Sequence, residues 1–200
     1  GGSMADMGHY SLFPLFQALG IETPPVSAEA YGTTTRTITN QVCRAVNNNV
    51  AFPYSCMIQF KFPKQKSLPA FDLYWYDGGM KPFAPEEVLA DNKSLPEEGM
   101  MFVGDKGKIL AGFRGEKPRI IPEKKMQAYA GEKELPEETR QRRSSTWVDS
   151  IKNNKESPGS FLAAGPVTET INLGAVALRA GRRVDYDTES MRITNFQEAN

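Results

Sequence analysis

Near the start of the chain, Asp6-Met7-Gly8-His9-Tyr10 places three side chains capable of proton chemistry within five residues. His9 is the only histidine. An imidazole titrates near neutrality, so it can take or give a proton there. The Tyr10 hydroxyl can donate a hydrogen bond to a substrate hydroxyl or carbonyl. It can relay a proton if a neighbouring cation lowers its pKa. Asp6 can orient a substrate or polarise the tyrosine. A capping or surface role for the histidine competes with this reading.

Further along, Tyr74, Trp75 and Tyr76 stand beside Asp77 and Lys81. Such a cluster can stack on a sugar ring and hydrogen-bond its hydroxyls. A strand with one core face and one interface face accounts for the same residues. Arg179, Arg182 and Arg183 could meet an anionic substrate, but a helix C-terminus and surface ion pairs also call for arginine.

Other chemistries lack their residues. No G-x-G-x-x-G unit follows a strand and opens a helix, so no nicotinamide cofactor site is legible in this chain. There is no P-loop, no HExxH and no G-x-S-x-G elbow. One histidine cannot supply a typical zinc site, and no metal is expected. Cys43 and Cys56 lack metal-site spacing and read as buried thiols, with a disulfide open if two strands bring them together. Lys+Arg 24 balances Asp+Glu 24, which argues against a nucleic-acid partner. The one dense basic run, Arg140 to Arg143, reads as a solvated helix start. No apolar run approaches the ~20 residues that cross a bilayer, so no membrane partner is expected. Two hundred residues suffice for one domain with a sizeable core.

The elements that must position these residues follow from periodicity. Residues 1–8 are small and read as flexible. Leu12, Leu15, Phe16 and Leu19 follow helical spacing, and Pro14 places the start near Ser11 or kinks the helix. Val26 to Thr39 reads as a strand, bulged near Gly32, and Asn47 to Asn49 as a turn. Ser55 to Phe62 alternates with Cys56, Ile58, Phe60 and Phe62 on one face. Phe71 to Tyr76 is a second strong strand. Pro85 opens a short helix. Met100–Val103 and Lys108–Phe113 form a hairpin turning at Gly104 to Gly107. Pro118 to Ile121 is a short strand, and Glu123 to Glu138 a surface excursion. Ser144 or Ser145 caps a helix carrying Trp147, Val148 and Ile151.

The best-defined stretch is the last. Ser157 to Gly159 break the chain. A buried helix then starts with Pro166 in its first turn and Glu169 near its positive end. Gly174 marks a close approach, and Gly181 the left-handed cap. Val184 and Tyr186 face inward on a strand that pairs with Met191 to Phe196 across the turn at Asp187 to Ser190. Strands and helices do not alternate regularly, so the expected class is α+β, with a large, open, mostly antiparallel or mixed sheet and helices on one face.

GSFLAAGPVTETINLGAVALRAGRRVDYD (Gly159 to Asp187) resembles the C-terminal α/β domain of the Gfo/Idh/MocA oxidoreductases, the glucose–fructose oxidoreductase and inositol dehydrogenase family. The resemblance extends over nearly the whole chain, through WYDGGMKPFAPEE and FVGDKGKIL to MRITNFQEAN. It implies one C-terminal substrate-binding and oligomerisation domain over residues 1–200. An upstream Rossmann domain, absent from this chain, would carry NAD or NADP. It implies a sugar, polyol or similar substrate and a homo-oligomer joined through the uncovered sheet face. On the resemblance, the chain is a piece of a larger enzyme that begins inside the active-site motif and ends where relatives run on. In that motif Asp6 takes the aspartate position and Tyr10 the proton-transferring position; His9 is one residue off and is the competing acid/base. The family's EKP motif belongs to the nucleotide-binding domain, so Glu116-Lys117-Pro118 reads as a surface turn. The alternative is a free-standing, non-catalytic oligomerisation or sugar-binding module.

Overall fold

The computed structural model describes residues 2–46, 48–66, 68–132 and 143–200, with 131, 132 and 143–146 as backbone only. The chain divides into two compact units, Gly1–Pro82 with Pro166–Asn200, and Phe83–Gly165. No composition shift in the sequence marks either boundary.

The first unit opens with α1 (Gly2–Leu19), which starts nine residues ahead of the expected Ser11 and keeps Pro14 inside. The reason is packing. Met4, Gly8, Ser11, Leu12 and Phe16 recur at helical spacing and are buried, so tertiary contact holds the small residues 2–8 in the helix. β1 (Ser27–Gly32) ends where the expected strand would have run on. After Thr33–Thr35 the chain forms a separate hairpin, β2 (Arg36–Thr39) with β3 (Val42–Ala45). Its turn falls at Asn40 and Gln41, both at positive φ (50° and 63°), the geometry a two-residue hairpin favours. The expected turn at Asn47 to Asn49 is placed differently: Asn47 lies outside the described residues, and Asn48 Oδ1 accepts the Val50 and Ala51 amides at 3.0 and 2.9 Å.

β4 (Cys56–Phe62) alternates as expected, with Cys56, Ile58, Phe60 and Phe62 buried. It pairs antiparallel with β1 on one side and with β5 (Phe71–Tyr76) on the other. The sheet is completed by β9 (Val184–Asp187) and β10 (Arg192–Ile193), in the order β10-β9-β1-β4-β5. The β9–β10 pairing, Ile193 opposite Tyr186, is the one the sequence indicated.

α5 (Phe161–Ala180) covers one face of this sheet. It begins five residues before Pro166, which sits inside the helix and not in its first turn. Ser160 Oγ accepts the Ala163 amide at 3.2 Å and so marks the start. Glu169 is therefore well inside the helix, away from its positive end. The approach expected at Gly174 is real. A Cβ there would lie 2.8 Å from Phe60 Cζ and 3.1 Å from Met4 Sδ. α1 meets the sheet through Phe16, edge-on to Phe62 at 5.8 Å, and Phe62 stacks on Phe71 at 4.7 Å. Gly181 caps α5 at φ 61°, its amide bonded to Ala177 O at 3.0 Å. Contrary to the expectation that no apolar run is long enough, α5 has the length and composition to cross a membrane. A core helix meets the same test, and Val167, Thr170, Ile171, Gly174 and Ala177 are buried.

The second unit holds α2 (Glu86–Ala90), β6 (Met100–Val103), β7 (Lys108–Ala111) and β8 (Arg119–Ile121). The three strands form an antiparallel sheet in sequence order. The surface excursion expected after Ile121 takes the form of a helix, α3 (Glu123–Glu132), with Lys124, Lys125 and Gln127 to Ala130 exposed and Met126 buried, and Asp91 Oδ2 accepts the Glu123 amide at 2.9 Å. The remainder of that stretch, and Arg140 to Arg142, lie outside the described residues. α4 (Arg143–Lys152) begins before Ser144 and Ser145, so neither is a cap. The fold is α+β with every sheet antiparallel among the described residues, divided into sheets of five, two and three strands.

Candidate functional site

α1 sets the geometry of the first candidate group. Its buried side carries Met4, Gly8, Ser11 and Leu12. Gly8 is needed there: a Cβ would lie 3.2 Å from Ile171 Cδ1. Asp6, His9 and Tyr10 fall on the other side and are exposed, Tyr10 by 51%. Asp6 and Tyr10 are four residues apart and Asp6 and His9 three, so both pairs are neighbours on the helix surface. His9 and Tyr10 diverge by about 100°. The three groups thus share an accessible ridge, where a substrate oxygen could meet a phenol beside a carboxylate.

The aromatic run on β5 is divided by strand alternation. Trp75 points inward and is 8% exposed, while Tyr74 and Tyr76 face outward with ring centroids 6.4 Å apart and planes 22° apart. Around them the open face is a hydrogen-bonded network. Gln59 Nε2 donates to Asp72 Oδ2 at 2.8 Å and to the Tyr74 hydroxyl at 2.9 Å. Lys61 pairs with Asp72 at 3.3 Å. Burial and the neighbouring Asp72 carboxylate raise the Tyr74 hydroxyl above its ordinary value. These cross-strand partners could not be found from the sequence, because they depend on the β4–β5 register.

Asp77 works inward, not on a ligand. Oδ1 accepts the Cys56 amide at 2.7 Å. Oδ2 accepts the Trp75 indole at 2.9 Å and the Cys56 thiol at 3.2 Å. Burial, then this carboxylate, pushes the Cys56 thiol up to about 12. Cys56 is buried as expected, but Cys43 is exposed on the hairpin, and both are free. Hairpin residues project beyond the sheet, so strand composition alone misplaced Cys43.

The arginines are structural. Arg179 donates to Val50 O at 2.9 Å and to Ala51 O at 3.2 Å, and lies 4.0 Å over the Phe52 ring. Arg182 lies 5.1 Å over Phe196. Arg183 pairs with Asp185 at 2.8 Å. Glu169, displaced from the helix end, accepts the Tyr186 hydroxyl at 3.0 Å. Burial and this carboxylate push that hydroxyl up to about 12. Glu116 is exposed in a turn, where its carboxylate accepts the Arg114 amide at 2.8 Å. Hydrogen bonds from backbone amides hold that carboxyl below its ordinary value.

Surface cavities among the described residues include one of about 270 Å³ beside Glu22, Gln65 and Lys66 and one of about 460 Å³ beside Val176, Arg179 and Phe196. Neither includes Asp6, His9 or Tyr10. Among the described residues no cluster of His, Cys, Asp and Glu could hold a metal ion. The same residues contain no parallel strand pair. The described residues therefore contain no βαβ unit of the kind that cradles a dinucleotide. Comparison with known families, characterised proteins and solved structures finds no match.

Proposed function

We propose that this chain is the substrate-binding and oligomerisation domain of an NAD(P)-dependent oxidoreductase of the Gfo/Idh/MocA type, acting on a sugar, polyol or related carbohydrate. What carries the reading is the α1 ridge. Gly8 seats the helix against Ile171, and the same helical turn presents Asp6 and Tyr10 side by side to solvent. In this proposal the nicotinamide belongs to a separate domain. The residues here bind and orient substrate, with the Tyr10 hydroxyl donating to a substrate oxygen and Asp6 orienting it.

The test needs this chain joined to the dinucleotide-binding domain of its own reading frame. General acid–base help is typically worth 10²–10⁴-fold, so Tyr10→Phe is expected to lower turnover by roughly 100-fold while the fold stays intact. Asp6→Asn should cost less, and His9→Gln least. If His9→Gln abolishes turnover and Tyr10→Phe leaves it within about threefold, His9 is the acid/base. A reading frame with a start codon just before Gly1 and no upstream domain would favour the second reading, a non-catalytic sugar-binding or oligomerisation module. The stacked Tyr74 and Tyr76 amid Gln59, Lys61 and Asp72 support that alternative.

A further inference from the structure

The β2–β3 hairpin has no visible means of support. Every residue from Tyr31 to Val46 is exposed. Ile38 is 75% exposed on one face and Val42 50% on the other, so neither face is covered. A lone two-stranded hairpin is at best marginally stable in water. It is also purely basic. No Asp or Glu occurs between Ala30 and Ala70, and Arg36 and Arg44 form no ion pair among the described residues. Arginines and apolar side chains without intramolecular partners are the composition of an interface core.

The complementary surface lies on the same chain. The open face of the five-stranded sheet carries Glu29, Tyr31, Gln59, Asp72 and Tyr74, with Lys61 paired to Asp72 at 3.3 Å. Glu29 accepts the Tyr31 hydroxyl at 2.6 Å and has no cation paired with it among the described residues. Tyrosines flanked by Glu29 and by the exposed Asp72, which keeps Lys61 beside it, suit a basic, partly apolar strand pair. The reach is sufficient too. The eight residues after Gly32, Thr33 to Asn40, extend about 26 Å at strand rise, and five strands at about 4.8 Å spacing are roughly 20 Å wide. The β1–β4 ladder continues by one bond, Thr33 N to Ser55 O, and the hairpin's own ladder by Val46 N to Thr35 O, so the two ladders are separate. With all of its residues exposed, the hairpin does not bury a face on its own sheet.

We infer that the Arg36–Ala45 hairpin is an exchanged arm that lies across the open sheet face of a second copy of this chain, Arg36 and Arg44 meeting Glu29 and Asp72 of that copy. The inference rests on the oligomerisation part of the proposed function and names the element that joins the copies. Reciprocal exchange makes a closed pair, because each copy offers one arm and one face.

Sedimentation velocity on the 200-residue chain tests it. The chain should dimerise at micromolar concentration. Arg36→Glu with Arg44→Glu should weaken association by about 100-fold, the scale of a lost hot-spot cluster. Adding Glu29→Lys should recover at least about tenfold of that, because the charges are exchanged rather than removed. As a readout that alters no charge, Gln59→Cys should give an oxidised dimer band with Cys43 on non-reducing electrophoresis. The arm is overturned if the double arginine variant dimerises within about threefold of the parent, if Glu29→Lys recovers nothing, or if no such band forms. Should Tyr74→Lys dissociate the dimer while the arginine variant does not, face-to-face association stands and only the arm falls. A parent chain that is monomeric throughout overturns both. Loss of heparin retention with unchanged association would make the hairpin a polyanion site and overturn the arm.

Discussion

Asp77 joins two strands through one carboxylate, and the consequence is read most directly at its thiol partner. Cys56 is 3% exposed and hydrogen-bonded at 3.2 Å, with its pKa pushed up to about 12. Only the thiolate is nucleophilic, so Cys56 should be inert at pH 8 while exposed Cys43 reacts. A chromogenic disulfide reagent should titrate one thiol quickly and the second only after denaturation; two fast equivalents would refute the assignment. The folded pKa lies above the unfolded one, near 9. The stabilisation is therefore complete below that value and lost as pH climbs towards 12. Cys56→Ala should flatten this part of the alkaline melting profile. The sequence located both cysteines but not their environments, since nothing local distinguishes a β4 position from one on an isolated hairpin.

At the scale of elements, α5 contains two glycines in different surroundings, Gly165 directly before Pro166 and Gly174 against the sheet. A Cβ at Gly165 meets nothing within 4 Å, whereas one at Gly174 meets Phe60 Cζ at 2.8 Å. Replacing a helical glycine by alanine stabilises by about 0.5–1 kcal/mol where the site is open. At Gly165 the ring of Pro166 crowds a new Cβ in helical backbone, so Gly165→Ala should raise the urea midpoint by less than this. At Gly174 that gain is opposed by overpacking of about 1–3 kcal/mol against a fully buried ring, so Gly174→Ala should lower the midpoint. Equal or greater stability for Gly174→Ala would show that Phe60 can yield. Here the sequence was informative. The buried helix, the close approach at Gly174 and the cap at Gly181 were all legible from residue type and spacing. The starts of α1 and α5 were not. Pro14 and Pro166 look like boundaries in isolation, but burial of Met4 and Gly8 in α1 and the cap from Ser160 in α5 extend both helices past them.

At the scale of the whole molecule, the antiparallel sheets and the missing glycine-rich unit agree on one expectation. The isolated chain should not bind NAD or NADP usefully. Titration calorimetry checks this: a dissociation constant in the low micromolar range, about −8 kcal/mol, would mean that a cofactor site exists on residues with no recognisable motif.

Some features were determined by the sequence alone, because side-chain period, turn residues and caps act within a few positions of the chain. These are the α+β class, the alternation of β4, the β6–β7 hairpin, the β9–β10 pairing and the ligand-poor composition that leaves one histidine. Tertiary structure decided what depends on partners distant in sequence. Register brought Gln59 to Asp72 and Tyr74, and burial turned Asp77 towards Cys56 and Trp75. Chain return set Arg179 against residues 50–52, and the end of β1 released Arg36–Ala45 as an uncovered hairpin. Those contacts arise from packing between distant segments, and no local pattern encodes which segment will arrive.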